Sequence, residues 1–437
     1  MRARIVFAVG LMATCAASAF EFNPALMKGR NSYVTMVFDE AGGFTSAAIT
    51  PADDSWTAPT YPSTYLCRAP EDTTDRANCR SYGIYVPTTY DGSRPAPLHL
   101  SLHGNGGFAE AQIGDVPKND GTGTTAADNS GLEGRYNQLA EQHGFIAVYP
   151  NGIPNGGSTV NGRMWNDCRI GEPASTADDV KFIGALLDDV MSSLNMDRGR
   201  VYANGYSNGA VMMFRLYAEL GERFTAFATM AGNQPLDNQT ECAAPTVKKP
   251  LMLVFGDEDA VVPYYGVGVR VSMRSADDTI LYWTQHLGAD QPTTDDRVAW
   301  QLNWTLVPNV SSTDGNPDSR GYTKVFGNGA EGTQGVGPTL VFAKKINQGG
   351  HTLSGLTPFT SQVLVATLGP KNLDVQIADE FYSFFSQFEM KAPPAAVLSA
   401  SAASSAAQGR GLLLGGLALS TLLAFAAFAS FRFLLTP

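Results

Sequence analysis

Short apolar runs alternate along this chain with longer stretches in which apolar residues recur every three or four positions. Runs of the first kind, at 82–86, 98–102, 145–149, 200–204, 224–230, 251–255 and 339–346, are rich in branched and aromatic residues and predict strands. The second kind predicts helices over 132–143, 179–194, 210–217, 276–287 and 377–388. In the 179–194 segment, Ile183, Leu186, Leu187, Val190 and Leu194 fall on one face. Alternation of this kind predicts an α/β fold, with a mostly parallel central sheet and helices on both faces. No internal repeat is visible. Residues 20–80 are rich in Thr, Pro and Ala with scattered aromatics and form an N-terminal extension with no assigned elements or role. The regular pattern occupies 81–390. Within it, 106–131, rich in Gly, Asp, Thr and Asn, reads as an extended surface loop.

Length and composition allow a sizeable core: 437 residues, 44% hydrophobic. A net charge of −11 argues against nucleic-acid binding, which calls for a basic surface. The two ends carry targeting patterns. Arg2 and Arg4, an apolar run at 5–16 and Ala17-Ser18-Ala19 predict a secretory signal peptide over 1–19. Residues 391–411 form an Ala/Ser-rich linker, and 412–437 a hydrophobic C-terminal anchor. That tail reads as a GPI-attachment signal, with its acceptor among Ser399, Ala400 and Ser401, or as a single transmembrane helix followed by Arg432. Either form holds an extracellular domain at the cell surface. Four cysteines remain after the signal, which suits two disulfides. The favoured pairing is Cys67 with Cys79 and Cys168 with Cys242. No metal-binding spacing is present, and no cofactor is expected. Asn238, Asn303 and Asn309 each open an Asn-x-Ser/Thr tripeptide and are candidate glycosylation sites.

The chemistry centres on Gly205-Tyr206-Ser207-Asn208-Gly209, set between a predicted strand and a predicted helix. Strand, G-x-S-x-G, helix is the nucleophile elbow of an α/β-hydrolase. Ser207 is the candidate nucleophile. An acid is expected after a later strand, and Asp257-Glu258-Asp259 follows the 251–255 run. Asp259 is favoured, although the residues alone leave Asp257 open. The base is expected later still. Of the five histidines, His351 alone stands on a predicted loop past the acid. The run His103-Gly104-Asn105-Gly106-Gly107 closes an early strand and matches an oxyanion loop. Its donors would be the backbone N–H of Asn208 and that of Asn105 or Gly106. Trp165, in Trp165-Asn166-Asp167-Cys168, is a candidate for stacking on substrate, with local packing as the plainer role. Asp178-Asp179 is placed to cap the helix that follows.

Taken together, the His-Gly-Asn-Gly-Gly run, Trp165-Asn166-Asp167-Cys168, Asp178 through Ile183, the elbow, Gly256 through Tyr264 and Gly349-Gly350-His351-Thr352 resemble the secreted polyhydroxybutyrate depolymerase / feruloyl esterase group. The resemblance covers about 81–388. It implies an α/β-hydrolase fold and a triad of Ser207, Asp259 and His351. Three features depart from the group: Asn105 stands where a Cys or Thr is common, Leu353 where a Trp is common, and the 106–131 loop is expanded. These fall on the substrate side of the site.

The function expected is an extracellular serine carboxylesterase. Its substrate, expected to be polymeric, would be a feruloyl or acetyl ester of polysaccharide, or a short-chain polyester. Rival readings are a non-catalytic surface binding or adhesion protein on the same fold, and a serine peptidase.

Overall fold

The computed structural model describes residues 27–29, 31–38, 44–51, 79–109, 112, 134–154, 163–170, 177–266, 273–288, 305–306, 321–326, 341–352, 366–372 and 375–390. All of them belong to one compact unit, Met1–Met390. The expected signal segment, linker and apolar tail lie outside the described residues, as do Cys67, Asn303 and Asn309. Among the described residues no helix is long and apolar enough to cross a membrane.

The strands are β1 (Asn31–Phe38), β2 (Phe44–Pro51), β3 (Cys79–Tyr85), β4 (Ala96–Leu102), β5 (Ile146–Pro150), β6 (Ile153–Pro154), β7 (Arg163–Met164), β8 (Met196–Tyr206), β9 (Ala226–Met230), β10 (Leu251–Gly256), β11 (Thr305–Leu306), β12 (Gly321–Phe326) and β13 (Val341–Ile346). The helices are α1 (Arg135–His143), α2 (Asp179–Ser193), α3 (Asn208–Leu220), α4 (Ala276–Leu287) and α5 (Ile377–Phe385). An 11-stranded sheet runs in the order β11-β12-β13-β10-β9-β8-β4-β5-β3-β1-β2. Its centre, from β13 to β5, is parallel throughout. Antiparallel strands extend both edges. This is the α/β-hydrolase arrangement, with the elbow following a central strand.

The two faces of the sheet bury separate clusters, and the two-residue period of the strands sorts side chains between them. Leu251, Leu253 and Phe255 face one cluster with Phe182, Ile183 and Leu186 of α2, Met212 and Leu216 of α3 and Trp283 of α4. Met252 and Val254 face the other, with Tyr136 and Leu139 of α1 and Phe381, Phe384 and Phe385 of α5. Burying one large apolar side chain contributes about 1.5–3 kcal/mol. Lys344 breaks the apolar run of β13 and is nonetheless buried, because its Nζ reaches Glu380 of α5 at 2.6 Å.

The extension at 20–80 does not stand apart from the sheet. It supplies β1 and β2, so the sheet begins ahead of residue 81. Ser32, Val34 and Met36 of β1 are buried at every second position. The polar serine in that series hides the alternation from a reading of apolar residues alone.

Parallel register sets up the site. Leu102 pairs with Gly205, Tyr206 with Met230, and Gly256 with Ile346. The loops leaving β4, β8, β9, β10 and β13 therefore depart from one edge, the carboxyl end of the sheet, where open α/β sheets place their ligands.

Candidate active site

Ser207 sits between β8 and α3 with φ 55° and ψ −120°, a conformation that L-residues seldom adopt. Such strain costs on the order of 1–3 kcal/mol and persists because the surroundings enforce it. Its N–H donates to the Met230 carbonyl at 2.9 Å, and α3 starts at the next residue. The motif glycines allow the turn. A Cβ on Gly205 would strike the backbone of Gly209, and one on Gly209 would strike the Leu102 and His103 carbonyls. Glycine at 209 thus lets the elbow helix press against the end of β4.

His351 follows β13 and is 5% exposed. Its Nε2 lies 2.7 Å from the Ser207 Oγ, and its Nδ1 lies 2.8 Å from the Asp259 Oδ2. The other Asp259 oxygen accepts the N–H groups of Val261 and Val262 at 2.8 and 2.7 Å. Three side chains from the ends of β8, β10 and β13 are brought into one hydrogen-bonded line. Asp257 is elsewhere. It accepts the Gln348 N–H at 2.7 Å and stands 3.8 Å from the Lys345 Nζ. Burial pushes its carboxyl above the ordinary aspartate value, with Lys345 acting in the opposite sense. Asp257 braces the turn that carries His351, and it is Asp259 whose carboxylate meets the imidazole.

The loop after β4 crosses directly over the elbow. A Cβ built on Gly104 would come within 3.1 Å of the Ser207 Cβ. His103 beneath it accepts the Gly152 N–H at Nε2 (3.0 Å) while its Nδ1 meets the Gly104 carbonyl at 2.7 Å. This pairing describes a neutral ring with its proton on Nδ1. Of the two donors offered by this loop, Gly106 is already committed: its N–H donates to the Arg163 carbonyl at 2.8 Å. Asn105, the residue before it, is exposed. The backbone N–H of Asn208 opens α3, where first-turn amides have no intrahelical acceptor.

Trp165 does not offer a face to substrate. It is 1% exposed, and its indole N–H donates to the His103 carbonyl at 2.9 Å. Its ring is spent on packing against His103, which corrects the stacking role. Asp178 caps α2 by accepting the Lys181 N–H at 3.0 Å, but Asp179 does not share that task. It is buried in an ion pair with Arg80 and accepts the Asn166 N–H at 2.6 Å. Cys168 and Cys242 are joined by a disulfide, with Cα atoms 5.3 Å apart. Asn238 is exposed on the turn at Asp237–Gln239. Among the described residues no cluster of His, Cys, Asp and Glu is arranged to hold a metal.

Two contributors escaped the sequence reading. The Tyr206 hydroxyl donates to the His351 carbonyl at 2.6 Å, and burial followed by the Asp259 charge holds that phenol above its ordinary pKa, so it stays a donor. Asp167 accepts the Asn208 side-chain amide at 2.6 Å. The first lay inside the motif without a distinctive residue type. The second joins segments 41 residues apart.

No protein-family model matches the chain. A protein of Nocardia uniformis subsp. tsuyamanensis bearing the name esterase NocK is 31% identical over 171 residues, 39% of this chain and 42% of its own. Feruloyl esterase C of Emericella nidulans is 28% identical over 158 residues, 36% of this chain and 48% of its own. The matched stretch thus spans under half the length of each of these relatives. Among solved structures, an acetyl xylan esterase from Aspergillus awamori aligns with 63% of this chain and 89% of its own at 15% identity and a TM-score of 0.38. By its sheet order and elbow this chain has the α/β-hydrolase fold, and in sequence it is similar to esterases, a feruloyl esterase among them.

Proposed function

We propose that the protein is a serine carboxylesterase, acting outside the cell, that works through an acyl-enzyme. The observation that carries this reading is the line Ser207–His351–Asp259, with bonds of 2.7 and 2.8 Å. His351 accepts the serine proton as Oγ attacks the ester carbonyl, forming a tetrahedral oxyanion. Asp259 holds the imidazole so that its Nε2 faces the hydroxyl, and stabilises the cation that forms. The backbone N–H groups of Asn208 and Asn105 stabilise the oxyanion. His351 then returns the proton to the leaving alkoxide, which departs as the alcohol. A water, deprotonated by the same imidazole, cleaves the acyl-serine and releases the acid.

The likeness to a named feruloyl esterase supports a feruloyl ester as the substrate class, and the motif resemblance extends it to acetyl esters of plant polysaccharide. The motif resemblance supports a short-chain polyester as the second member of the panel. The signal pattern supports secretion, and the apolar tail supports retention at the cell surface by a GPI anchor or one transmembrane helix. Asn238 is proposed to carry a glycan.

The deciding experiment uses methyl ferulate, acetylated xylan, polyhydroxybutyrate and p-nitrophenyl acetate with the wild type and Ser207→Ala. Loss of hydrolysis in the variant, with fluorophosphonate labelling of wild-type Ser207, is the expected result. Hydrolysis by Ser207→Ala at the wild-type rate removes the reading. A folded wild type that neither hydrolyses nor labels returns the protein to the binding-module class.

A further inference from the structure

The side chain of Asn208 turns inward and closes on the peptide of Trp165 at two points. Its Oδ1 accepts the Trp165 N–H at 2.7 Å, and its Nδ2 donates to the Trp165 carbonyl at 3.2 Å. The same Nδ2 donates to Asp167 Oδ2 at 2.6 Å, and Arg169 grips that carboxylate, its Nη2 at 2.7 Å. The other end of Trp165 reaches the opposite wall. Its indole Nε1 donates to the His103 carbonyl at 2.9 Å, and the two rings lie 4.9 Å apart. Trp165, His103 and Asn208 are 1%, 2% and 4% exposed. Water therefore competes little for these bonds, and each keeps its strength.

One residue is thus fastened both to the position after Ser207 and to the root of the His103-Gly104-Asn105 loop. Those two segments carry the two proposed oxyanion donors. We propose that Trp165 is a positioning residue, a crossbar that sets the spacing between the Asn208 and Asn105 amides; this rests on the esterase reading above. The oxyanion is absent from the bound ester and develops only in the transition states and the tetrahedral intermediate between them, so the crossbar acts on kcat and leaves KM nearly unchanged. A tryptophan that merely filled the core would instead change how much protein folds.

The test compares two substrates in one preparation of the full chain, p-nitrophenyl acetate and its thionoacetate counterpart, in which sulfur replaces the carbonyl oxygen. Sulfur is larger and accepts hydrogen bonds poorly, so a well-spaced oxyanion hole favours the oxygen ester. The ratio of the two rates does not depend on the folded fraction. Trp165→Phe keeps a ring but loses the indole N–H, and Asn208→Ala removes the clasp. Both are expected to lower the oxygen-to-sulfur ratio by roughly tenfold or more, with KM for the oxygen ester within about twofold. A ratio equal to the wild type's in both variants overturns the crossbar and leaves the esterase reading intact. Wild-type hydrolysis by Ser207→Ala removes both together.

Discussion

The Tyr206 hydroxyl donates a 2.6 Å hydrogen bond to the main-chain carbonyl of His351, tying the residue before the proposed nucleophile to the residue that bears the proposed base. The two are 145 positions apart, and their rings approach to 5.4 Å. Tyr206→Phe keeps the ring and removes the tie. A buried carbonyl left without its donor costs about 1–3 kcal/mol, part of it felt as a misplaced imidazole. The expected result is a fall in kcat of about tenfold with little change in KM, read from steady-state hydrolysis of a p-nitrophenyl ester. An unchanged kcat would show that the loop holds His351 without this bond.

The two aspartates after β10 should separate cleanly. Asp259→Asn leaves the shape of the acid but favours the wrong imidazole tautomer, and should lower kcat by about 10⁴-fold. Asp257→Asn retains an acceptor for the Gln348 N–H and should lower kcat less than about tenfold. Parallel kinetics on the two variants decide it. Equal losses would contradict the roles the geometry implies.

Gly209→Ala tests the close approach of α3 to β4. The new methyl meets the Leu102 and His103 carbonyls, which belong to backbone that cannot turn aside. Overpacking of this kind costs about 1–3 kcal/mol or more, and the displaced elbow should lose activity as well. Denaturant unfolding and ester hydrolysis measured together should both decline.

His99 sets a pH dependence of stability. It is buried on β4, its Nδ1 2.8 Å from the Tyr136 hydroxyl and its ring stacked 3.9 Å from Phe145. Burial lowers its pKa to about 3 from an ordinary 6.5, with the Arg200 charge acting in the same direction. Below 6.5 the unfolded chain takes up a proton that the folded chain refuses. Stability contributed by neutral His99 is thus full above that value and is lost as pH falls toward about 3. The slope approaches about 1.4 kcal/mol per pH unit. Chemical denaturation of His99→Gln and wild type at pH 7, 5 and 4 should show the variant losing less stability on acidification.

Much of the fold was legible because it is written in local periodicity. The 251–255 run reads as a fully apolar strand, and a strand of the parallel centre is apolar on both faces. β1 and β2 were not legible, since an antiparallel edge hairpin with Ser32 turned inward carries only part of the apolar signal. The β6–β7 ribbon pairs two residues with two, too few to leave a pattern. At the site, the elbow announced itself through glycines whose spacing is steric. The choice between Asp257 and Asp259 could not be read from the residues alone, because two aspartates on one turn look alike in sequence and differ only in the partners they meet. Trp165 could not be read either: burial of a loop tryptophan depends on what folds over it.

By itself, the chain determined the strands of the parallel centre and the helices between them, where the sharp turn at Ser207 would fall, and which residue types were on hand for acyl transfer. These are properties of neighbours in sequence, governed by side-chain period and by where a Cβ is tolerated. Only the tertiary structure decided that Ser207, His351 and Asp259 meet, that the Gly106 N–H is spent on Arg163, and that Tyr206 and Trp165 join segments far apart in the chain. Hydrogen bonds of this kind are directional over about 3 Å, and their partners are chosen by the register of a parallel sheet, which no local pattern encodes.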